Sequence, residues 1–410
     1  RTFGSDINLR DYPAILVMGP NLDPIRPALA DYTGTKYKLN WWFPEDYKGL
    51  SPSVIIDGLS DPEQRGRLIK FLLYREPLNQ LGAREFYLFV RKDLPGIGPG
   101  PTTGPSAAAV PAGPSAAPVS AGNATILARL GVDASGQSQL VDPKDVAVDR
   151  SGRLYVTEGR ANRVTILERD GSVLSRFGEG GAGNGQLNEP WGIAVADNGD
   201  IYVADTWNHR VQRFDSAGRF LNLWGTLGDS QGQVGVAPGQ FWGPRDIALG
   251  SDGRVYVTDT GNKRIQIFDS TGNSQGALGG DGSAPGRLRE PVGLAIAPDG
   301  FWVADAWNNR VQHLGQDGSP LSQSPAVGWE SQAISNKPYL AVSPNGTVIA
   351  TAPDAGQLLV MPPGGQVRTV GLEPGPLGAA QPTGITVAAT GEVYVTDTRN
   401  GLVLRLARLD

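Results

Sequence analysis

Residues 189–225 read EPWGIAVADNGDIYVADTWNHRVQRFDSAGRFLNLWG. Four short apolar segments alternate here with turn signals. GIAVA ends at Asn198-Gly199, a strong hairpin signal. IYVAD runs into the polar turn TWNH, RVQRF stops at DSAG, and FLNLW stops at Gly225. Apolar segments of this length bounded by Gly, Asn and Asp read as strands of one antiparallel sheet.

The same grammar recurs in both directions along the chain. GPRDIALGSDGRVYVTDTGNKRIQIFD opens at Gly243, EPVGLAIAPDGFWVADAWNNRVQHLG at Glu290, KPYLAVSPNGTVIATAPDAGQLLVM at Lys337 and QPTGITVAATGEVYVTDTRNGLVLRLARLD at Gln381. Upstream, LARLGVDASGQSQLVDPKDVAV from Leu127 matches LSRFGEGGAGNGQLNEPWGIAV from Leu174 without a gap, at an offset of 47 residues. A repeat of that length made of four strands predicts a propeller blade, since blades arranged radially protect one another's edges. Six copies are present. The last reaches the end of the sequence after its third strand, LVLRLARL, while ATILARLG at 124–131 precedes the first copy and matches SVLSRFG and RFLNLWG. The N-terminal strand is therefore expected to complete the last blade.

The blade pattern resembles the NHL repeat, through Pro190, Gly192, Asp205, Asn208 and Arg210, and again through Pro244, Asp259, Asn262 and Arg264. The resemblance covers residues 124–410 and implies a six-bladed β-propeller. Blade five departs from it, with Thr351 near the Asp position and no Arg; blade six keeps Asp397 and Asn400 but has Leu402 in place of Arg.

Residues 95–122, PGIGPGPTTGPSAAAVPAGPSAAPVSAG, carry neither charge nor aromatic ring and read as a spacer stiffened by proline. Residues 1–94 alternate strand and helix signals, so the whole chain is expected to be α+β, a small α/β domain followed by a linker and a propeller over 123–410. YPAILVMG, YKLNWWFP and REFYLFVRKDL read as strands; DPIRPALADYTG and DPEQRGRLIKFLLYREP, the latter with Asp61 as N-cap and Pro62 at the first helical position, read as helices. NWWFPEDYKGL and FLLYREP with GAREFYLFVRKDL are similar to the soluble tail that follows the membrane helices of some GT-C-type glycosyltransferases, relatives of the protein O-mannosyltransferases. That likeness implies a membrane-bound parent acting outside the cytoplasm. The catalytic acids of those enzymes lie between membrane helices, so their activity does not carry over.

Composition narrows function further. A net charge of −5 over 410 residues argues against a nucleic-acid partner, and the absence of Cys removes disulfides, thiolate metal sites and a cysteine nucleophile. No apolar run approaches the roughly 18 residues of a membrane helix. No signal peptide is visible, and the opening RTFGSDINLR lacks an initiator Met, so the chain is expected to be part of a longer product. The two histidines, His209 and His313, fall out of repeat phase, so no metal, cofactor or catalytic residue is expected. The sequons at Asn123 and Asn345 are matches that chance supplies in a chain this long.

Asp205, Asn208, Arg210, Asp259, Asn262, Arg264, Asp305, Asn308 and Arg310 recur with the repeat, and so read as structure: turn-capping carboxylates with arginines that bridge blades. His209 replaces Asn162, Lys263 and Asn309 of other blades and is expected to be exposed. Trp207 and Trp307 fall on the turn between second and third strands; Trp191 and Trp242 border the junction between blades. All four belong to one face, where they are either wedges between blades or an apolar platform for a protein or glycan, with Arg245 and Asp246 supplying polar contacts. The extra stretch TLGDSQGQVGVAPGQFWG lengthens that rim. The sequence thus points to a noncatalytic binding or scaffold module. The alternatives are a self-associating surface subunit and a propeller lyase or lactonase with a metal in its channel.

Overall fold

The computed structural model describes residues 14–18, 32–39, 84–91, 118–228, 237–329 and 337–409. The chain divides into two units, residues 1–106 and 107–410.

In the first unit Ala14–Met18, Arg84–Arg91 and Tyr32–Leu39 form a three-stranded antiparallel sheet, with REFYLFVR in the centre. The second strand lies earlier than YKLNWWFP: all eight residues of YTGTKYKL pair with the eight of the central strand, and Tyr32–Gly34, read as a helix stop, open it. Cross-strand pairing over the full length of REFYLFVR outweighs the local turn signal of Thr-Gly. The two expected helices otherwise lie outside the described residues.

The second unit is a six-bladed propeller of antiparallel blades. Blade two is Ile193–Val195, Ile201–Asp205, Arg210–Phe214 and Phe220–Trp224. Burial follows radius. Every residue of the second strands IYVAD, VYVTD and VIATA is buried between neighbouring blades, whereas outer strands such as Val173–Phe177 are mostly exposed. Leu140, Leu187, Phe241 and Leu288, each a few residues ahead of an inner strand, plug the seams between blades and are at most 5% exposed. Each such side chain contributes roughly 1.5–3 kcal/mol by leaving water.

Threonine hydroxyls stitch the ring. Thr206, Thr260 and Thr398, directly after the blade Asp, donate to the carbonyls of Pro244, Pro291 and Pro143 in the next blade, at 2.9, 2.7 and 2.7 Å. Near the axis the blades approach so closely that a Cβ on Gly192 would meet the Arg245 carbonyl oxygen at 2.6 Å, and one on Gly293 would meet Tyr339 Cα at 2.6 Å.

Ile126–Leu130 pairs antiparallel with Leu402–Leu406 and closes blade six, as the sequence predicts. The segment just before it holds a feature absent from the sequence reading. Val119–Asn123, assigned to the spacer up to residue 122, runs parallel to Arg368–Gly371 as a fifth strand on blade five. All five of its residues are exposed, so backbone pairing rather than side-chain burial holds it.

Candidate functional site

The repeated carboxylates are built into the turns. Asp205 is buried and accepts from the backbone N–H of Asn188 (2.7 Å), the amide of Asn208, the Arg210 guanidinium (2.7 Å) and the Gln212 amide (2.9 Å). Arg210 spends its other donors on the carbonyls of Ala182, Gly183 and Gln186, fixing the loop that enters its own blade. Asp259 with Asn262 and Arg264, and Asp305 with Asn308 and Arg310, repeat this arrangement. Burial pushes the carboxyls of Asp259 and Asp305 up, against the pull of their hydrogen bonds and arginines. The arginine thus bonds its own blade's carboxylate and reaches the preceding connection through carbonyls. Blade one substitutes Glu158, which takes Arg163 at 2.7 and 3.0 Å.

In blade five the carboxylate position is Ala352, which pairs with Gln357 as Asp205 pairs with Arg210; Thr351 stands one residue earlier. Its relatives are Thr157, Thr258 and Thr396, which likewise accept from an inner-strand N–H.

At the axis, Asp145 and Asp246 occupy the same register position of the inner strands of blades one and three. Asp145 accepts the N–H of Ile193 at 3.0 Å, and Asp246 those of Leu294 and Ile247 at 2.7 Å each. The Tyr339 hydroxyl of blade five donates to the Arg245 carbonyl at 2.7 Å. Burial, reinforced by the neighbouring Asp246, pushes Asp145 well up; burial pushes Asp246 up to about 7. Asp246 is therefore a buried backbone cap and is not placed to contact a ligand on the face.

One layer above lie Lys144, Trp191 and Arg245. Trp191 is fully buried, with Arg245 Cζ 3.6 Å and Lys144 Nζ 4.8 Å from its ring centroid. Lys144 pairs with Asp142 at 3.0 Å, while burial lowers its pKa. Trp191 is a wedge. Asp142, Glu189 and Glu290, each preceding the proline that leads into an inner strand, adopt φ of 54°, 48° and 49°, left-handed backbone that non-glycine residues rarely take.

Trp207 stands outward, 37% exposed, the most open of the four indoles in question. Its Nε1–H donates to Glu189 at 2.9 Å, and Arg245 lies 5.7 Å from its ring. Trp307 is half-buried, with Lys337 at 5.6 Å from its ring and paired to Glu290 at 3.1 Å. An acid, an indole and a cation of the next blade thus recur in blades two and four. Trp242 is half-buried and covers Gly261.

His209 is half-buried where exposure was expected. It is left-handed at φ 54°, and its Nδ1 accepts the N–H of Gly243 at 3.1 Å, tying blade two to blade three. That bond leaves Nε2 as the protonated nitrogen of the neutral ring, and burial lowers its pKa. His313 lies elsewhere, stacked on Trp302 at 4.2 Å with its Nε2 3.1 Å from Asp299. It takes the place that Arg213 holds between Tyr202 and Asp200. Of the extra rim stretch, residues 229–236 lie outside the described residues. Among the described residues no group of His, Asp and Glu is arranged to hold a metal ion.

Residues 187–214, 241–268 and 380–406 match the NHL repeat, in blades two, three and six; blade six matches despite Leu402. Over 76 residues the chain is 40% identical to NHL repeat-containing protein 3 of Homo sapiens, a stretch that is 18% of this chain and 21% of that protein. The chain thus spans about a fifth of that relative's length. Among solved structures, a streptogramin B lyase is similar with a TM-score of 0.48 and 20% identity, over 67% of this chain and 85% of the lyase. A putative gluconolactonase is similar with a TM-score of 0.48 and 16% identity, over 69% and 91%.

Proposed function

We propose that this NHL-repeat propeller is a noncatalytic docking module, and that the face bearing Trp207 and Trp307 holds a protein partner. The observation that carries the reading is the state of Trp207. A large ring is left exposed on a rigid turn while Glu189 and Arg245 fix its orientation. A preset aromatic anchor loses little freedom on binding, which is the character of interface hot spots. The apparent catalytic cluster of Asp205, Asn208 and Arg210 is consumed by turn structure. The carboxylates at the axis are likewise bound to backbone N–H groups.

The experiment is site-specific photo-crosslinking in cells that express the chain. A photoreactive phenylalanine analogue at position 307 is expected to give a discrete adduct that vanishes in Trp207→Ala. The same analogue at position 219, on the opposite face, is expected to give none. Equal adducts from both positions would contradict the reading.

The proposal extends to a setting outside the cytoplasm, on a membrane-bound glycosyltransferase-like parent. Its support is the likeness of NWWFPEDYKGL and FLLYREP to such tails, together with the proline-rich spacer. Fractionation of cells, with the chain recovered only in the cytosol, would contradict this extension alone.

A further inference from the structure

The turn between second and third strands fills the same four-residue slot in every blade. The pairs that flank it, Glu158–Arg163, Asp205–Arg210, Asp259–Arg264, Asp305–Arg310, Ala352–Gln357 and Asp397–Leu402, are in register. The second residue of the slot is Arg160, Trp207, Gly261, Trp307, Asp354 and Arg399 from blade one to blade six. Next to it stands an asparagine in four blades, Asn208, Asn262, Asn308 and Asn400, each bonded to the blade carboxylate, with Ala161 and Ala355 in blades one and five. The variable residue carries no such duty.

Its variation around the ring is segregated. At Gly261 a Cβ would lie 2.7 Å from the Trp242 ring, so the glycine makes room for an aromatic arriving from the preceding loop. The order around the face is then two adjacent arginines over blades six and one, indoles over blades two, three and four, and an acid over blade five. The Arg160 side chain is 76% exposed and only loosely paired, 3.7 Å from Asp142. Arg399 is exposed and donates one Nη1–H to the Ala379 carbonyl at 3.1 Å. Asp354 is exposed.

We propose that this arc docks an extended peptide segment of a protein partner, acidic at the end over blades six and one and apolar across blades two to four. The inference rests on the docking role of the tryptophan face and adds the chemistry of its occupant. Each guanidinium can recognise a carboxylate through paired charge-assisted bonds, and arginines on two adjacent blades suit an acidic stretch. Indoles flanked by structured polar groups accept aliphatic and aromatic side chains. His209, with Nδ1 taken by Gly243, adds an Nε2–H donor beside Trp207, at 6.3 Å between ring centroids. A nucleic acid fits less well. It needs exposed cations interleaved with its stacking rings, whereas Arg245 and Lys337, the cations beside these indoles, are buried and Lys337 is paired with Glu290.

The test pans random dodecapeptides displayed on phage against the full chain, and measures the Kd of the enriched peptides by calorimetry. Enriched sequences are expected to place Asp or Glu at one end and Leu, Phe or Trp beside it. Their binding is expected to weaken about tenfold or more in Trp207→Ala, and equally in Arg160→Glu with Arg399→Glu. Arg219→Glu on the opposite face is expected to change nothing, and unfolding midpoints to stay unmoved. Peptides lost in Trp207→Ala but indifferent to the arginine reversals would overturn the charge polarity and leave the docking face standing. No enrichment over a Trp207→Ala, Trp307→Ala variant would overturn both. Binding at Trp207 of members of a neutral oligosaccharide panel, with no peptide enriched, would overturn the peptide and keep the face.

Discussion

Blade two and blade five share one shape and reach it by different chemistry. Blade two locks its entering loop with a buried carboxylate that collects an arginine, an asparagine, a glutamine and a backbone N–H. Blade five has Ala352 and Gln357 at those positions. It relies on apolar strands such as LLVM and on Trp329 with its Nε1–H on the Thr351 carbonyl at 2.8 Å, and it carries the added strand Val119–Asn123 at its edge. The blade shape therefore comes from strand length and apolar faces, while the polar network fixes a loop.

That contrast can be broken most severely at its two N-terminal strands. Removal of Ile126–Leu130 opens blade six, and the cooperative unfolding transition is expected to disappear. Removal of the chain only through Gly122 takes away an exposed edge pairing and is expected to leave a cooperative transition. Loss of cooperativity in both would mean that the fifth strand is part of the closure.

Asp205→Ala leaves Arg210 buried without its carboxylate and is expected to cost roughly 3–5 kcal/mol in denaturant unfolding. Ala352→Asp inserts a carboxylate where no arginine waits and is expected to destabilise as well. A stabilising Ala352→Asp would erase the distinction between the two blades.

The axial carboxylates give a pH signature. Asp246 is held up to about 7 in the folded chain, above its ordinary unfolded value, so the unfolded state releases the proton first. Stability is therefore fully present below the unfolded value, and is lost as pH rises from about 4 through about 7, by a few kcal/mol. Asp246→Asn is expected to flatten that fall. A wild-type chain whose stability rises over the same interval would contradict the burial of this pair. Smallest in stability is Trp207→Ala, expected to change unfolding by about 0.5 kcal/mol or less because the ring is exposed.

How much of this was legible in the sequence differs between those same regions. The blades and the closure by ATILARLG follow from repeat alignment, because each strand has its own apolar pattern and turn. VSAGN has no such pattern: its pairing is offered by the edge of blade five, which sequence does not display. Asp246 read as a surface group because its type is polar. The signal that would have placed it is the alternation at one position of the inner strand, Asp145, Gly192, Asp246, Gly293, which marks an approach to the axis. His209 read as free because its position varies, yet its ring nitrogen meets a neighbouring blade's backbone. The threonine stitches were invisible because a Thr that opens a turn gives no sign of the neighbouring blade's carbonyl.

The central claim is that the Trp207 and Trp307 face docks a partner independently of holding the fold together. It is tested most directly by the affinity of the crosslinked partner, once recovered, for the wild-type chain and for Trp207→Ala, with both unfolding midpoints measured alongside. The account predicts a loss of affinity of about tenfold or more with unchanged midpoints. Equal affinity, or a loss that appears only with a fall in midpoint, would contradict it.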